Sequence, residues 1–224
     1  RVSQASGFIL QYLNGGTVVN QGVELALNGT PVRTPGGFEW SVLANFFHNE
    51  NRAKRLPSFL TEVNQSDAFI IDVARGSAFP GRPITSIAAF DFQRAPDGRI
   101  LIGATGYPLI NNTTYVYAGD RAPDFTTQIT NTLRYQGLEL TFMFDFRKGG
   151  KVVNGNDWFA TRTGLSERTL DRYQQVVFDG VVRQADGTFV PNTRPVELTQ
   201  NYYQSVLGGI GTPFIEDASW TRLR

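Results

Sequence analysis

The sequence contains one histidine, His48, and no cysteine among its 224 residues. A Ser-His-Asp triad or a histidine metal site would have to be built on His48, because no second histidine can assist it. Without cysteine the chain can form neither a disulfide nor a thiolate metal site. His48 lies near the end of an alternating run of residues, and we interpret it as a polar residue at a strand end.

Aspartates are the other candidates for acid–base chemistry, since a glycosidase needs two carboxylates about 5–10 Å apart. Most of them stand beside glycine or proline, which is typical of aspartate that forms turns. These are Asp97, Asp120, Asp124, Asp179 and Asp186. The sequence has neither a phosphate-binding glycine loop nor the calcium-loop pattern. We therefore predict that the chain is not an enzyme and has no catalytic residue, no metal ligand and no cofactor.

Aromatic side chains in irregular segments are candidates for stacking on sugar rings. Such residues are Trp158, Phe159, Tyr202 and Tyr203. Each of them could instead pack inside a large loop or belong to an aromatic girdle at a membrane surface. The sequence alone therefore assigns no substrate-binding residue.

The composition favours strands and turns as the elements that position any site. Aromatic residues make up 12% of the chain, with 17 Phe against one Met, and there are 23 Gly and 11 Pro. Lys and Arg total 21 and Asp and Glu total 20. This balance argues against a nucleic-acid partner, which needs a basic face. No run reaches the roughly 18 apolar residues of a membrane helix.

Alternation of apolar and polar residues is the main signal of secondary structure. The runs 38–48, 125–135 and 138–147 each alternate over their whole length. A membrane-barrel strand needs about 9–11 residues, whereas strands of soluble proteins average about 5–6. The pattern fits a barrel wall with a wet interior, and it fits equally well a soluble sandwich whose apolar face covers a core.

Turn residues group these runs into hairpins. The run 22–29 pairs with 38–48, and Tyr135-Gln-Gly137 connects the runs on either side of it. We also predict a hairpin between 84–92 and 99–102 around Ala95-Pro-Asp-Gly98.

The remaining segments, 50–84 and 148–200, are long and irregular in sequence. Two short helices are predicted in the second segment, one starting near Ser166 and one after Thr199. Short turns on one side and long loops on the other are typical of outer-membrane barrels.

Short strings that go beyond periodicity are distributed along the chain in a fixed order. They are Asn20-Gln-Gly-Val-Glu-Leu25, Gly119-Asp-Arg-Ala-Pro-Asp-Phe125, Thr130-Asn-Thr-Leu-Arg-Tyr-Gln-Gly137, the aromatic strand that leads to Gly149-Gly-Lys-Val-Val-Asn-Gly155, and Phe214-Ile-Glu-Asp-Ala-Ser-Trp-Thr-Arg-Leu-Arg224. In this order they resemble signature stretches of SusC/RagA-type TonB-dependent transporters. The resemblance covers nearly the whole chain.

The resemblance implies an all-β fold of antiparallel transmembrane strands with long extracellular loops, taken from a family barrel of about 22 strands. We expect residues 1–224 to be part of the barrel domain of a TonB-dependent receptor, contributing roughly ten wall strands. The plug domain and the final strands would then lie outside them. A secreted β-sandwich that binds glycan is the alternative.

The family resemblance also implies a function, a location and partners. It implies TonB-dependent import of an oligosaccharide or peptide across the outer membrane of a Gram-negative bacterium. The partners would be a SusD-like surface lipoprotein, TonB (through an N-terminal region outside this chain), a glycan or peptide substrate and outer-membrane lipid. No nucleic acid is expected among them.

Overall fold

Antiparallel strands dominate the computed structural model, which describes residues 15–65 and 72–224. The strands are β1 (Thr17–Arg33), β2 (Glu39–Arg55), β3 (Val63–Asn64), β4 (Ala74–Ala78), β5 (Ser86–Phe92), β6 (Ile110–Asp120), β7 (Phe125–Tyr135), β8 (Leu138–Lys148), β9 (Lys151–Val153), β10 (Gln175–Val176), β11 (Val181–Arg183), β12 (Phe189–Pro191), β13 (Val196–Glu197), β14 (Ile215–Asp217) and β15 (Trp220–Leu223). The helical elements are α1 (Gly155–Thr163), the 3-10 turns Glu167–Thr169 and Thr212–Phe214, and the π-helical segment Tyr202–Leu207. No helix within this described part is long and apolar enough to cross a bilayer.

A five-stranded antiparallel sheet, here called the wall, has the order β1-β2-β7-β8-β15. Leu133 stands opposite both Trp40 and Leu140 in this register. Cross-strand partners point to the same side of a sheet, so the alternating runs align their apolar residues on one face. That face carries Leu25, Leu27, Trp40, Val42, Ile129, Leu133, Leu140, Phe142, Phe144 and Phe146.

The apolar face of the wall is open. Leu138 is 76% exposed and Leu140 is 58% exposed, and no other sheet of the described chain packs extensively on the wall. The sandwich alternative needs this same face buried against a second sheet, so the open face contradicts it. The alternation that predicted these strands is confirmed by the observed register.

The opposite face of the wall is polar. Near the short turns, Arg33 donates from Nε to Glu39 at 2.9 Å, and Arg134 donates from Nε to Glu139 at 2.7 Å. Arg134 also lies 3.5 Å from Glu39, so charges of alternating sign run across four neighbouring strands. A charged ladder of this kind is stable next to water and costly in contact with hydrocarbon.

Two long insertions join the wall strands, 56–124 between β2 and β7 and 149–219 between β8 and β15. Their described residues pack together into what we call the cap. A four-stranded sheet, β3-β4-β5-β6, lies in the first insertion. Both insertions contribute to one core, which consists of Val73, Ala74, Ala89, Trp158 and Phe214. A second cluster joins Tyr107 of the first insertion to Leu198, Tyr202 and Tyr203 of the second.

The structure corrects several predictions inside the loops. Among the described residues the wall contains five strands rather than roughly ten, because most of the other strands belong to the cap. The turn at 95–98 is confirmed by the hydrogen bond from Gly98 N to Ala95 O. The main partner of β5 is nevertheless β6, which the sequence analysis did not predict, and not the segment 99–102.

Helix predictions were right in two places and missed a third. Ser166 accepts a hydrogen bond from Arg168 N at the start of the 3-10 turn, as expected. Thr199 precedes the predicted second helical segment, and its Oγ1 accepts from Tyr202 N at 3.4 Å. Helix α1 was not predicted, because it begins with Gly155 and Asn156, which have low helix propensity.

Candidate binding cleft

Two adjacent glycines mark the point where the chain leaves the wall and enters the cap. Gly149 and Gly150 have φ values of +74° and +81°, a region that favours glycine. A Cβ at Gly149 would lie 2.3 Å from Oδ2 of Asp124, and one at Gly150 would lie 2.8 Å from Arg147. The pairing of β8 with β15 ends here, and β9 and β14 continue it within the cap.

The string Gly119-Asp-Arg-Ala-Pro-Asp-Phe125 forms the other side of this junction. Asp120 accepts hydrogen bonds from Thr85 Oγ1 at 2.5 Å and from Ala122 N at 3.1 Å. Arg121 donates from Nε to Thr85 O at 3.1 Å. Polar contacts therefore hold the turn that returns the chain from the cap to β7.

A side chain from the wall locks the two sides together. Arg147, at the end of β8, donates from Nη2 to the carbonyl oxygen of Arg121 at 2.6 Å. Two strings that are separate in the sequence thus meet in one structural joint. The two strings connect the wall with the cap. They also place cations beside the space between the wall and the cap.

An open cleft of about 1160 Å³ lies at this joint. Strand β4, the start of α1 and the start of β15 surround it. Its charged lining residues are Arg75, Arg121, Arg147, Lys151, Glu216 and Asp217. Two aromatic side chains, Phe159 and Trp220, also reach its surface.

The cations of the cleft differ in how they are paired. Arg75 forms an ion pair with Glu62 and stacks on the ring of Tyr115 at 3.9 Å. Lys151 Nζ lies 3.7 Å from Asp217. Neither Arg121 nor Arg147 has a carboxylate within ion-pair distance in the parts of the chain that the structure describes.

Helix α1 begins at the cleft. Asn154 caps it by accepting a hydrogen bond from Asp157 N at 2.9 Å. Burial alone would raise the pKa of Asp157, but hydrogen bonds from Ser166 and Arg168, both 2.6 Å long, outweigh it and lower that pKa. This carboxylate, held in the first turn, fixes the helix start and the following segment together.

Comparison with known proteins gives a consistent result. No family model matches the sequence. A protein named TonB-dependent receptor P26 from Formosa agariphila is 27% identical over 172 residues, covering 68% of this chain and 17% of the relative. The predicted resemblance to TonB-dependent receptors is confirmed by this relative. The chain thus spans less than a fifth of that curated receptor.

A solved structure described as the RagAB peptide transporter shares the fold of the chain. The match has a TM-score of 0.56 and 19% sequence identity, and it covers 99% of this chain and 24% of the transporter chain. At this identity the likeness concerns the fold alone. The matched region includes both the wall and the cap, so the two insertions are part of the shared fold.

The aromatic candidates from the sequence separate into buried and exposed groups. Trp158 is buried, and its Nε1 donates to Gly208 O at 2.9 Å. Tyr202 and Tyr203 are also buried, and burial raises the pKa of Tyr202 to about 12. These three residues pack inside the cap, where their rings are not exposed for stacking on a sugar. Phe159 is 62% exposed and lines the cleft.

His48 lies inside β2 and not near its end, because β2 continues to Arg55. Its Nδ1 is 2.5 Å from the carbonyl oxygen of Asp124, so it contributes to the joint. Within the described ranges, no three His, Cys, Asp or Glu side chains are grouped to hold a metal ion.

The interpretation of the aspartates as turn residues is supported where the structure gives contacts. Asp97 accepts from Arg99 N at 3.0 Å and Asp186 from Thr188 N at 2.9 Å. Hydrogen bonds from these neighbours lower the pKa of both carboxyl groups.

Sequence reasoning missed the cations that line the cleft. Arg121, Arg147 and Lys151 all lie in or beside the strings that carry the family resemblance. Their position in or beside those strings was the only sequence signal that could have marked them as candidate binding residues. Their common location could not be read from the sequence, since 26 positions separate Arg121 from Arg147.

Proposed function

We propose that this chain forms part of the wall and of the outer loops of an outer-membrane barrel that imports an oligosaccharide or peptide with energy supplied through TonB. The wall sheet carries this proposal, because one face is apolar and exposed while the other is polar. A sheet of this kind suits a bilayer on one side and a wet lumen on the other. The proposal assigns the chain no chemical step and no enzymatic activity.

The dimensions of the wall support a membrane location. Strands β7 and β8 have 11 residues each, which agrees with the roughly 9–11 residues of a tilted membrane strand. Trp40 and Tyr135 lie toward the short turns, whereas Phe46 and Phe125 stack at 5.7 Å toward the cap. Aromatic residues at both ends of an apolar band are typical of the girdles of membrane barrels.

The edges of the wall support closure into a larger barrel. Among the described residues, β1 pairs only with β2 and β15 only with β8. An open strand edge in hydrocarbon leaves backbone groups without hydrogen-bond partners, at a cost of several kcal/mol for each group. We therefore propose that further strands pair with both edges and close a barrel of about 22 strands.

In this arrangement the cap lies outside the cell, and substrate enters through the space between the cap and the polar face of the wall. The cleft then contributes part of the surface that the substrate contacts. The conformational work would be done by a plug that responds to TonB, and no residue of this chain is assigned to that step. The relative in the solved structure is named a peptide transporter, which keeps peptide among the proposed substrates.

A surface lipoprotein of the SusD type is the proposed partner. The cap exposes three large apolar side chains in the segment 165–173, namely Leu165, Leu170 and Tyr173. Exposed apolar residues so close together favour a protein contact. Their location on the cap agrees with a partner that approaches from outside the cell.

The orientation can be tested with single cysteines, since the chain has none of its own. Ala185→Cys places a thiol on an exposed turn of the cap, and Gly36→Cys places one on the exposed β1–β2 turn. In intact cells, a membrane-impermeant maleimide should label the first variant and leave the second unlabelled until the outer membrane is opened. Equal labelling of both, or labelling of the β1–β2 turn alone, would reject the proposed orientation.

Import can be tested separately by uptake. A strain lacking the intact protein should lose uptake of one oligosaccharide or peptide class, and loss of TonB or collapse of the proton gradient should have the same effect. Uptake that continues without TonB would contradict the proposed mechanism.

A further inference from the structure

We propose that the cleft at the joint of wall and cap binds an acidic oligosaccharide through its carboxylate groups. This inference rests on the proposed function and makes it more specific, because it selects a chemical class from the possible substrates. Four observations carry it: unpaired guanidinium groups, a helix start, exposed aromatic rings and the size of the cleft.

Two guanidinium groups of the cleft have no carboxylate partner among the described residues. Arg121 and Arg147 line the cleft and form no ion pair within the described parts of the chain. The Nε atom of Arg147 is buried and has no hydrogen-bond partner there, although its Nη2 is used by Arg121 O. A buried donor without an acceptor costs free energy until a ligand or water supplies one. Carboxylates are the natural acceptors for such donors, since they take paired hydrogen bonds from a guanidinium.

The other charged residues of the cleft do not neutralise the positive charge of Arg121 and Arg147. Lys151 is 3.7 Å from Asp217, a loose contact at the surface, and Arg75 is already matched by Glu62. Glu216 accepts a hydrogen bond from Asn154 at 2.8 Å. The lining therefore has four cations against two carboxylates, and the Arg147 guanidinium lies against the backbone of Arg121, whose carbonyl oxygen accepts from its Nη2.

The start of α1 adds positive potential to the same cleft. Asn154, Gly155 and Asn156 all line it. The N–H groups of Gly155 and Asn156 lie in the first helical turn, where no carbonyl of the helix can accept from them. The helix dipole and free N–H groups of a first turn favour an anion, and these residues line the same cleft as Arg121 and Arg147.

Exposed aromatic rings favour a sugar over other anions. Phe159 projects from α1 into the open, and Trp220 lies on the polar side of the wall, where Arg222 packs over its ring at 4.4 Å. Rings beside polar groups suit the mixed apolar and polar faces of a pyranose. A volume of about 1160 Å³ exceeds the roughly 300–1,000 Å³ of sites for small molecules, which leaves room for several sugar units.

Calorimetry on the intact purified protein in detergent tests the inference directly. The probes are an oligogalacturonate, a neutral oligosaccharide of equal length and an aspartate-rich peptide of similar charge. We expect the oligogalacturonate to bind at least about tenfold more tightly than either competitor at low salt, with the difference shrinking as salt rises. Equal affinity for the neutral sugar, or tighter binding of the peptide, would overturn the inference.

Matched variants locate the binding. Arg147→Gln should weaken oligogalacturonate binding about fivefold to tenfold, a larger loss than it causes for the neutral sugar. Arg183→Gln removes a cation from the cap outside the cleft and should change neither affinity. Arg147 also supports the joint, so its replacement could weaken binding by distorting the cleft. Lys151→Gln is therefore a second variant, and it should also weaken oligogalacturonate binding. Unchanged oligogalacturonate affinity in both cleft variants would reject the site.

Failure of this inference can be distinguished from failure of the import proposal. Binding in detergent needs neither TonB nor a membrane, whereas the cysteine labelling and uptake experiments need both. A protein that imports a neutral oligosaccharide through TonB would retain the proposed function and disprove the acidic substrate. Tight, Arg147-dependent binding of oligogalacturonate without TonB-dependent uptake would support the acidic ligand and disprove the proposed import function.

Discussion

The wall and the cap use the same apolar residue types in opposite environments. Phe142, Phe144 and Leu140 of the wall share a face that no other sheet of the described chain covers. Phe214 and Ile210 of the cap are fully buried. The cap therefore supplies its own hydrophobic core, while the apolar face of the wall has no cover among the described residues. In the proposed arrangement this difference lets one chain place the cap in water and the wall in a bilayer.

The joint between these regions is polar and geometrically restrictive. Arg147, Asp120 and two glycines with positive φ hold the strands of the wall to the first turns of the cap. A joint of this kind fixes the cap relative to the polar face of the wall. Four predictions test the comparison, from the largest expected effect to the smallest.

The largest effect is expected in the core of the cap. Phe214→Ala removes a fully buried ring that packs with Val73 and Trp158. Loss of burial together with the resulting cavity should lower the free energy of opening of the cap by about 3–5 kcal/mol. Hydrogen exchange of the β5 and α1 amides in the intact protein measures it. As a control, Phe142→Ala in the wall should leave this exchange unchanged, and equal effects would mean that the two regions share one core.

The second prediction concerns the lipid face of the wall. Phe142→Arg puts a charge on the apolar face near the middle of β8 and should cost about 2–4 kcal/mol of folding free energy in a bilayer. The neighbouring Thr141→Arg puts the same charge on the polar face and should cost much less. Folding into lipid vesicles, followed by the heat-modifiable gel band, measures both. If the two variants were equally defective, the assignment of lipid and lumen faces would be wrong.

The third prediction tests the joint. In Gly149→Ala, a Cβ would approach Oδ2 of Asp124 to 2.3 Å, whereas in Gly187→Ala it would meet nothing within 4 Å. Both glycines have positive φ, so both variants incur a similar backbone penalty of about 1–2 kcal/mol. The clash should add about 1–3 kcal/mol at Gly149 alone. Thermal unfolding of the two variants gives the difference, and equal losses would show that the joint is looser than described.

The smallest effect depends on pH and is confined to the cap. Hydrogen bonds from Ser166 and Arg168 lower the pKa of Asp157 below its usual value of 3.8, against the opposing effect of burial. A group with a lowered folded pKa stabilises the fold above its unfolded pKa, and this contribution is lost as pH falls through the folded pKa.

Asp157→Asn should therefore destabilise α1 by about 1 kcal/mol or less near neutral pH, after allowance for solvent screening. It should also flatten the pH dependence of stability below about pH 4. Helix exchange rates between pH 6 and pH 2 provide the measurement. Glu167→Gln, which removes a neighbouring carboxylate without these hydrogen bonds, should retain the wild-type pH profile. A pH profile unchanged by Asp157→Asn would contradict this role.

Local sequence patterns were sufficient to predict the wall strands. Side chains in a strand alternate between two faces, so the runs at 38–48, 125–135 and 138–147 already defined the apolar and polar faces. The turn at Gln136-Gly137 was equally local, and both residues have positive φ as a tight hairpin requires. The structure added the register and the extension of β1 and β2 toward the cap.

The missed elements owe their structure to tertiary contacts. Helix α1 begins with poor helix formers and is stabilised by burial of Trp158. Strand β6 has the polar run Asn111-Asn-Thr-Thr114 after Ile110 and is stabilised by pairing with β5 and by stacking of Tyr115 on Phe90 at 4.1 Å. Neither contact is local in the sequence, so no short window could have predicted it.

The sequence by itself determined which residues alternate, where the tight turns lie and which family the strings resemble. Only the tertiary structure decided that two of those strings form one joint, and that Arg121, Arg147 and the start of α1 face a common cleft. The physical reason is the range of the interactions. Strand alternation and turn geometry are set by neighbouring residues, whereas the electrostatic character of a cleft is the sum of charges brought together from segments far apart in the chain.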